Sequence, residues 1–344
     1  MKAIGFYKAS PITASDSLID LELPEPALLD HDLLVAVKAV SVNPVDVKVR
    51  AGSTPPEGQP RILGWDATGV VQKVGAKVTR FKAGDRVWYA GDINRPGSNS
   101  ALQAVDERIV GPMPKSLDFA HAAALPLTAI TAWELLFDRL KVQDADPTAP
   151  GVLLVIGAAG GVGSVLIQLA RALTGLTVIG TASRAQTREW VLAKGAHHVI
   201  DHHQAWAPQL RELGIAQVSH VIGLNHTASY LAQIVEVLQA EGQLALIDDP
   251  QTLDIKPFKA KSLSVHWELM FTRSTYRTAT LSRQHDVLRR LAELVDQGVV
   301  TTTLTQRIVG INADTLKKAH ALVESGAMLG KVVLEDFDAA RPRA

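Results

Sequence analysis

The residues best suited to chemistry lie in the run Gly157-Ala158-Ala159-Gly160-Gly161-Val162-Gly163, where the backbone rather than the side chains would do the work. Small residues let a chain turn sharply and approach a pyrophosphate. The phosphate charge then meets free N–H groups and the positive end of the helix that follows. A glycine cluster alone is only a turn. Here it sits between the apolar run Val152-Leu153-Leu154-Val155-Ile156 and a helical stretch from Val162 to Thr174, the setting of a dinucleotide fingerprint. The next apolar segment, Thr177 to Thr181, reads as the second strand of a βαβ unit. A site that selects NAD places a carboxylate near the end of that strand, to hold the ribose 2′-hydroxyl. This chain has Thr181-Ala182-Ser183-Arg184 instead, with no carboxylate before Glu189. A hydroxyl beside a guanidinium suits a 2′-phosphate. The expected ligand is therefore NADP(H), held by Gly157, Ala158, Gly160, Gly161, Val162 and Gly163, with Ser183 and Arg184 at the phosphate.

Other constellations promise less. His197, His198, Asp201, His202 and His203 form the densest set of metal-binding side chains, but adjacent residues on a strand face opposite ways, so the spacing argues for polar residues at a strand end. Asp46 and Asp66 could pair as acid and base, and loop-structuring roles fit them equally well. The chain has no cysteine, which excludes disulfides, thiolate nucleophiles and cysteine-ligated zinc.

The elements that must position these residues change in texture along the chain. The first third carries closely spaced strands, at 33–42, 69–74 and 85–89, as in an antiparallel or barrel-like domain. An alanine-rich helical stretch from Phe119 to Leu136 follows, broken at Pro126, and then a polar linker from Asp144 to Pro150. From Val152 strands alternate with helices, as in a doubly wound parallel sheet. The last stretch, with strand-like segments at 301–308 and 331–334, is expected to return to the first domain. The boundaries are placed at 1–122, 123–262 and 263–344.

Composition limits the partners. The 344 residues carry 35 Lys plus Arg and 35 Asp plus Glu, so no global field draws in a polyanion or an anionic membrane. Nucleic acid and membrane partners are not expected. The N-terminus lacks an apolar run of secretion-signal length, and later apolar stretches are interrupted short of a membrane span, so a cytoplasmic address is expected.

Several separated motifs then point one way: Asn43-Pro44-Val45-Asp46 with Arg50 and Gly52, Leu63-Gly64-Trp65-Asp66, Ala124 to Ala129, the glycine loop with Gln168-Leu169-Ala170, and Gly330-Lys331-Val332-Val333-Leu334. On these the chain resembles a medium-chain dehydrogenase/reductase of the quinone oxidoreductase and zinc-type alcohol dehydrogenase-like branch. Trp267 to Ser274 resembles the latter subgroup in particular. The resemblance implies an α/β protein with a GroES-like β-rich catalytic domain built from both chain ends, a Rossmann domain between them, and a nicotinamide in the cleft. It places Asn43 and Thr131 near the nicotinamide end, Lys331 at the cofactor, and His202 where relatives carry an adenosine-contacting tyrosine. It also implies a homodimer.

The departures matter as much as the matches. Zinc-dependent relatives need a cysteine near Pro44 and a histidine where this chain has Trp65, and the segment between Val87 and Pro114 lacks the cysteines of a structural zinc lobe. Without zinc, charge developing on a carbonyl oxygen must be met by hydrogen bonds or a cation. Lys48, where many quinone reductases have tyrosine, is one catalytic candidate, and Tyr89 is another. The expected activity is zinc-independent, NADPH-dependent reduction of a small-molecule quinone or α,β-unsaturated carbonyl. The alternatives are alcohol–aldehyde conversion and a nucleotide-binding, redox-sensing or structural protein with little turnover.

Overall fold

The computed structural model describes residues 1–142 and 151–338; the linker expected from Asp144 to Pro150 lies outside them. The chain forms two compact units, Thr128–Met270 and a second made of Met1–Leu127 with the chain from Phe271 onward.

In the unit Thr128–Met270, six strands form one sheet in the spatial order His198–Ile200, Thr177–Thr181, Val152–Ile156, Val218–Gly223, Leu238–Leu246, Ser264–Trp267. Every neighbouring pair is parallel. Numbered by their succession within the unit, that order is 3-2-1-4-5-6, the Rossmann arrangement. Its strands are apolar on both faces because both are covered: Leu154, Ile156, Ile179, Val221, Leu244 and Trp206 belong to one buried cluster. The strand order reverses between Val152–Ile156 and Val218–Gly223. The carboxyl ends of those two strands are where open sheets of this kind hold their ligands.

The other unit is mostly antiparallel. Asp32–Ser41 is its central strand, pairing with Ala67–Val74, Leu102–Asp106 and Lys331–Glu335. The last of these pairings, Val333 opposite Ser41, brings the far end of the chain back to its beginning. A separate three-stranded sheet joins Ile19–Glu22, Lys2–Phe6 and Arg61–Ile62. These are the two parts of a GroES-like β-rich fold. A short helix, Pro44–Gly52, leaves the central strand with Pro44 in its first turn, where the missing N–H costs nothing.

One expectation is corrected here. The helical run Phe119–Arg139 is 21 residues long and apolar enough, by length and composition, to cross a membrane. Its most apolar window is 83% buried inside the protein, so it is a core element and its apolar character is spent on packing. Its last six residues, Glu134–Arg139, wind as a π-helix, with Leu140 N–H donating to the Leu135 carbonyl at 3.0 Å.

Candidate active site

The glycine loop leaves Val152–Ile156 at the point of strand reversal and enters the helix Gly161–Leu173. Gly157 has φ +78°, a conformation that side chains resist, and a Cβ there would lie 2.7 Å from Asn225 Oδ1. At Gly163 a Cβ would lie 2.5 to 2.7 Å from the Ala158 backbone, so only glycine lets the first helical turn pack on the loop. Gly160 differs: its φ of −75° suits any residue, and a Cβ would meet nothing within 4 Å except the Gly157 carbonyl at 3.5 Å. The loop is thus tight where it touches protein and open at Gly160. The Gly157 N–H is tied to Thr181 Oγ1 at 3.3 Å, which links the loop to the neighbouring strand.

Ser183 and Arg184 follow Thr177–Thr181 directly, and Arg184 is exposed at the head of the helix Ala185–Ala193. His202 follows the adjacent edge strand, half-buried, with Asp201 before it. The glycine loop, Ser183, Arg184 and His202 therefore all leave the carboxyl edge of one sheet. A loop open at Gly160 and a 13-residue helix behind it fit a dinucleotide pyrophosphate. Thr131 is buried in the helix Pro126–Trp133 of the same chain.

In the β-rich unit, Asn43 and Lys331 meet although 288 positions separate them. The Lys331 ammonium donates to Asn43 Oδ1 and to the Val42 carbonyl at 2.9 Å, and lies 3.2 Å from Asp66 Oδ2. Asn43 Nδ2 donates to Asp66 Oδ2 at 3.0 Å, and the Leu127 N–H donates to Asp66 Oδ1 at 2.8 Å. Asp46 accepts from the Asn43 and Gly64 N–H groups at 2.8 and 2.9 Å. All four side chains are buried. Lys331 thus pairs with Asp66 out of water, with Asp46 near enough to feel its charge. Burial pushes the Asp46 carboxyl up to about 7, against the hydrogen bonds it accepts and the charge of Lys331. Burial likewise raises Asp66, with Lys331 opposing, and lowers Lys331, with Asp66 opposing. This network fixes the loop 42–46 and the loop 63–66 to the returning C-terminal strand. Its signal in the sequence was two carboxylates within otherwise apolar or glycine-bearing motifs, but nothing in the spacing could assign Lys331 to them.

The two catalytic candidates part company. Lys48 is exposed on the helix Pro44–Gly52. Tyr89 is fully buried, its hydroxyl has no hydrogen-bond partner among the described residues, and burial pushes its pKa far up, all of which makes it a poor proton donor.

The side chains do not fit zinc. Among the described residues no three of His, Cys, Asp and Glu come together as ligands, and the chain has no cysteine. Trp65 is buried with its ring edge-on to Phe271, 5.9 Å between centroids, and an indole offers a metal no lone pair. Asn43 and Asp66 are committed to Lys331, as described above.

Comparison with known proteins agrees with this geometry. A family model described as an alcohol dehydrogenase GroES-like domain matches residues 29–112, and one described as a zinc-binding dehydrogenase matches 194–334. A zinc-type alcohol dehydrogenase-like protein of Staphylococcus epidermidis is 36% identical over 97% of this chain and 99% of its own. A crystal structure from Rhizobium etli, described as a candidate zinc-dependent alcohol dehydrogenase, is 52% identical, with a TM-score of 0.96 over 98% of this chain and 99% of that one. The Escherichia coli quinone oxidoreductase complexed with NADPH is 26% identical, with a TM-score of 0.81 over 98% of this chain and 100% of that one.

Proposed function

Because this chain belongs to the medium-chain dehydrogenase/reductase oxidoreductases, in the quinone oxidoreductase and alcohol dehydrogenase-like branch, we propose that it reduces quinones or α,β-unsaturated carbonyl compounds with NADPH and without zinc. The observation that carries the reading is the glycine loop at the point of strand reversal, followed one strand over by Ser183 and Arg184 in a sequence that has no Asp or Glu between Thr181 and Glu189. The Escherichia coli relative crystallised with NADPH supports the same coenzyme.

When bound, NADPH supplies the hydride. The chain's own residues do the rest. The open side of the glycine loop and the N–H groups at the start of the helix Gly161–Leu173 hold the pyrophosphate. Ser183 and Arg184 hold the 2′-phosphate, and His202 lies against the adenosine. Asn43 and Lys331 serve the nicotinamide end, where the network around Lys331 keeps the Asn43 amide from turning. Lys48 offers a cation to a carbonyl oxygen that gains charge, and water supplies the proton. Family names that mention zinc do not carry over, since the donor set fails. The substrate is a small molecule, and the protein works as a homodimer.

Stopped-flow mixing of the protein with NADPH and a panel of quinones and enones tests the proposal. Loss of nicotinamide absorbance with at least one acceptor class, faster with NADPH than with NADH, is the expected result. NADPH that binds but is never oxidised across the panel would leave the chain a coenzyme-binding protein and remove the reductase assignment.

A further inference from the structure

Resting on the NADP reading above, we infer that His202, His203 and His226 form a second, proton-dependent half of the 2′-phosphate site, so that the phosphorylated coenzyme binds together with a proton. The sheet register carries this. Thr181 pairs with Ile200 in the parallel ladder, and the Ala182 N–H donates to the Ile200 carbonyl at 3.0 Å. The two chains therefore leave the sheet edge side by side. One delivers Ser183 and Arg184, and the other delivers His202 and His203 at the same distance past the pair.

The imidazoles form a cluster. The His202 and His203 rings lie 4.2 Å apart, centroid to centroid, and Tyr230 stands edge-on to His202 at 6.2 Å. His226, exposed and with φ 51°, enters from the loop after Val218–Gly223, close enough for its charge to act on His202. His202 Nδ1 is buried and has no hydrogen-bond partner among the described residues. An enclosed ring nitrogen left unpaired is costly unless a ligand or water meets it.

The charges near the rings are of both signs, and on the His226 side Asp248 accepts from the Thr227 N–H at 2.8 Å and the Thr227 hydroxyl at 2.7 Å. Asp201 is the carboxylate of its own loop, and its oxygens are occupied by the His203 N–H at 2.9 Å and Gln204 Nε2 at 3.4 Å. From the neighbouring strand end come Arg184 and Arg188, the latter donating to the Ala182 and Val199 carbonyls at 3.1 Å each. The helix Trp206–Glu212 presents Trp206 and Gln209, both uncharged, and Tyr230 closes the other side. Burial, then the charges of His203 and His226, hold His202 below the ordinary imidazole value, with Asp201 opposing. A phosphate dianion set between Arg184 and His202 opposes that lowering, and a dianion beside imidazoles favours their protonated form. NAD has no such phosphate and recruits none.

Calorimetric titration of the full-length protein with NADP+ and with NAD+, at about pH 7 in buffers of different ionisation heat, counts the protons exchanged on binding. The expected result is net uptake with NADP+, little with NAD+, and a reduced uptake with NADP+ in H203Q, a substitution at an exposed position. Uptake removed altogether in H202Q/H203Q/H226Q assigns the proton to the three rings. If that variant does not fold, the comparison of the two coenzymes on the unaltered protein still decides. Net release with NADP+, as a phosphate giving up its residual proton to the buffer on pairing with arginine would produce, overturns the inference, and so does equal uptake with both coenzymes. Failure to bind either coenzyme is a different result: it removes the NADP reading itself.

Discussion

Gly160→Ala separates a loop that holds a pyrophosphate from one that merely turns. The backbone at Gly160 has φ −75° and ψ −179°, which alanine adopts without strain, and a Cβ would find only the Gly157 carbonyl at 3.5 Å. Replacing a glycine N-cap by alanine costs a few tenths of a kcal/mol to about 1 kcal/mol, so the melting temperature should fall by about 3 °C or less. The cost to binding is larger. The methyl group enters the open side of the loop, and losing one charge-assisted contact to the pyrophosphate removes about 1.5–3 kcal/mol, or about 10- to 100-fold in Kd. Gly163→Ala is the contrast, because its Cβ would press within 2.5–2.7 Å of the Ala158 backbone. Overpacking of that kind costs about 1–3 kcal/mol of stability as well as affinity. Thermal melts alongside titrations of NADPH fluorescence measure both quantities. A Gly160→Ala protein that melts normally and binds NADPH within about twofold of the parent would refute the cradle.

Three further outcomes follow from the same geometry. Arg184→Ala should weaken NADPH by about 10-fold or more while leaving NADH nearly unchanged, as the ratio of the two dissociation constants would show. Lys331→Met leaves Asp66 buried without its cation and should cost about 3–5 kcal/mol in urea unfolding, part of which returns when Asp66→Asn is added. Asp46 gives a pH signature: its carboxyl titrates near 3.8 in the unfolded chain and at about 7 in the folded one. Its contribution is therefore fully present below the lower value and lost as pH rises through the upper one. Unfolding free energy measured across that window should decline toward neutral pH, and more steeply in the parent than in Asp46→Asn.

The cofactor unit was legible because its signals are local. The run Val152 to Ile156 is too apolar to be anything but a covered strand, and the glycines after it need no distant partner to be understood. The helix Trp206–Glu212 escaped notice because Pro208 interrupts it on paper, yet in the first turn a proline removes only an N–H that has no partner anyway. The edge strand Ser264–Trp267 is polar and short, with burial too slight to leave an alternating pattern. The buried network was out of reach for a different reason. Asp46 and Asp66 could be singled out as carboxylates, but their ammonium lies at Lys331, and only the antiparallel pairing of Val333 with Ser41 brings it there. The helical stretch at 119–136 with its break at Pro126 was legible as well, although hydropathy alone does not distinguish a helix covered by protein from one covered by lipid.

The most direct test of a metal-free reductase is a single turnover on chelator-treated protein shown by elemental analysis to lack zinc. Mixed with stoichiometric NADPH and an excess of quinone, it should consume the coenzyme completely, at a rate that added zinc does not raise. Protein that is inert when stripped and recovers on adding zinc would contradict the account.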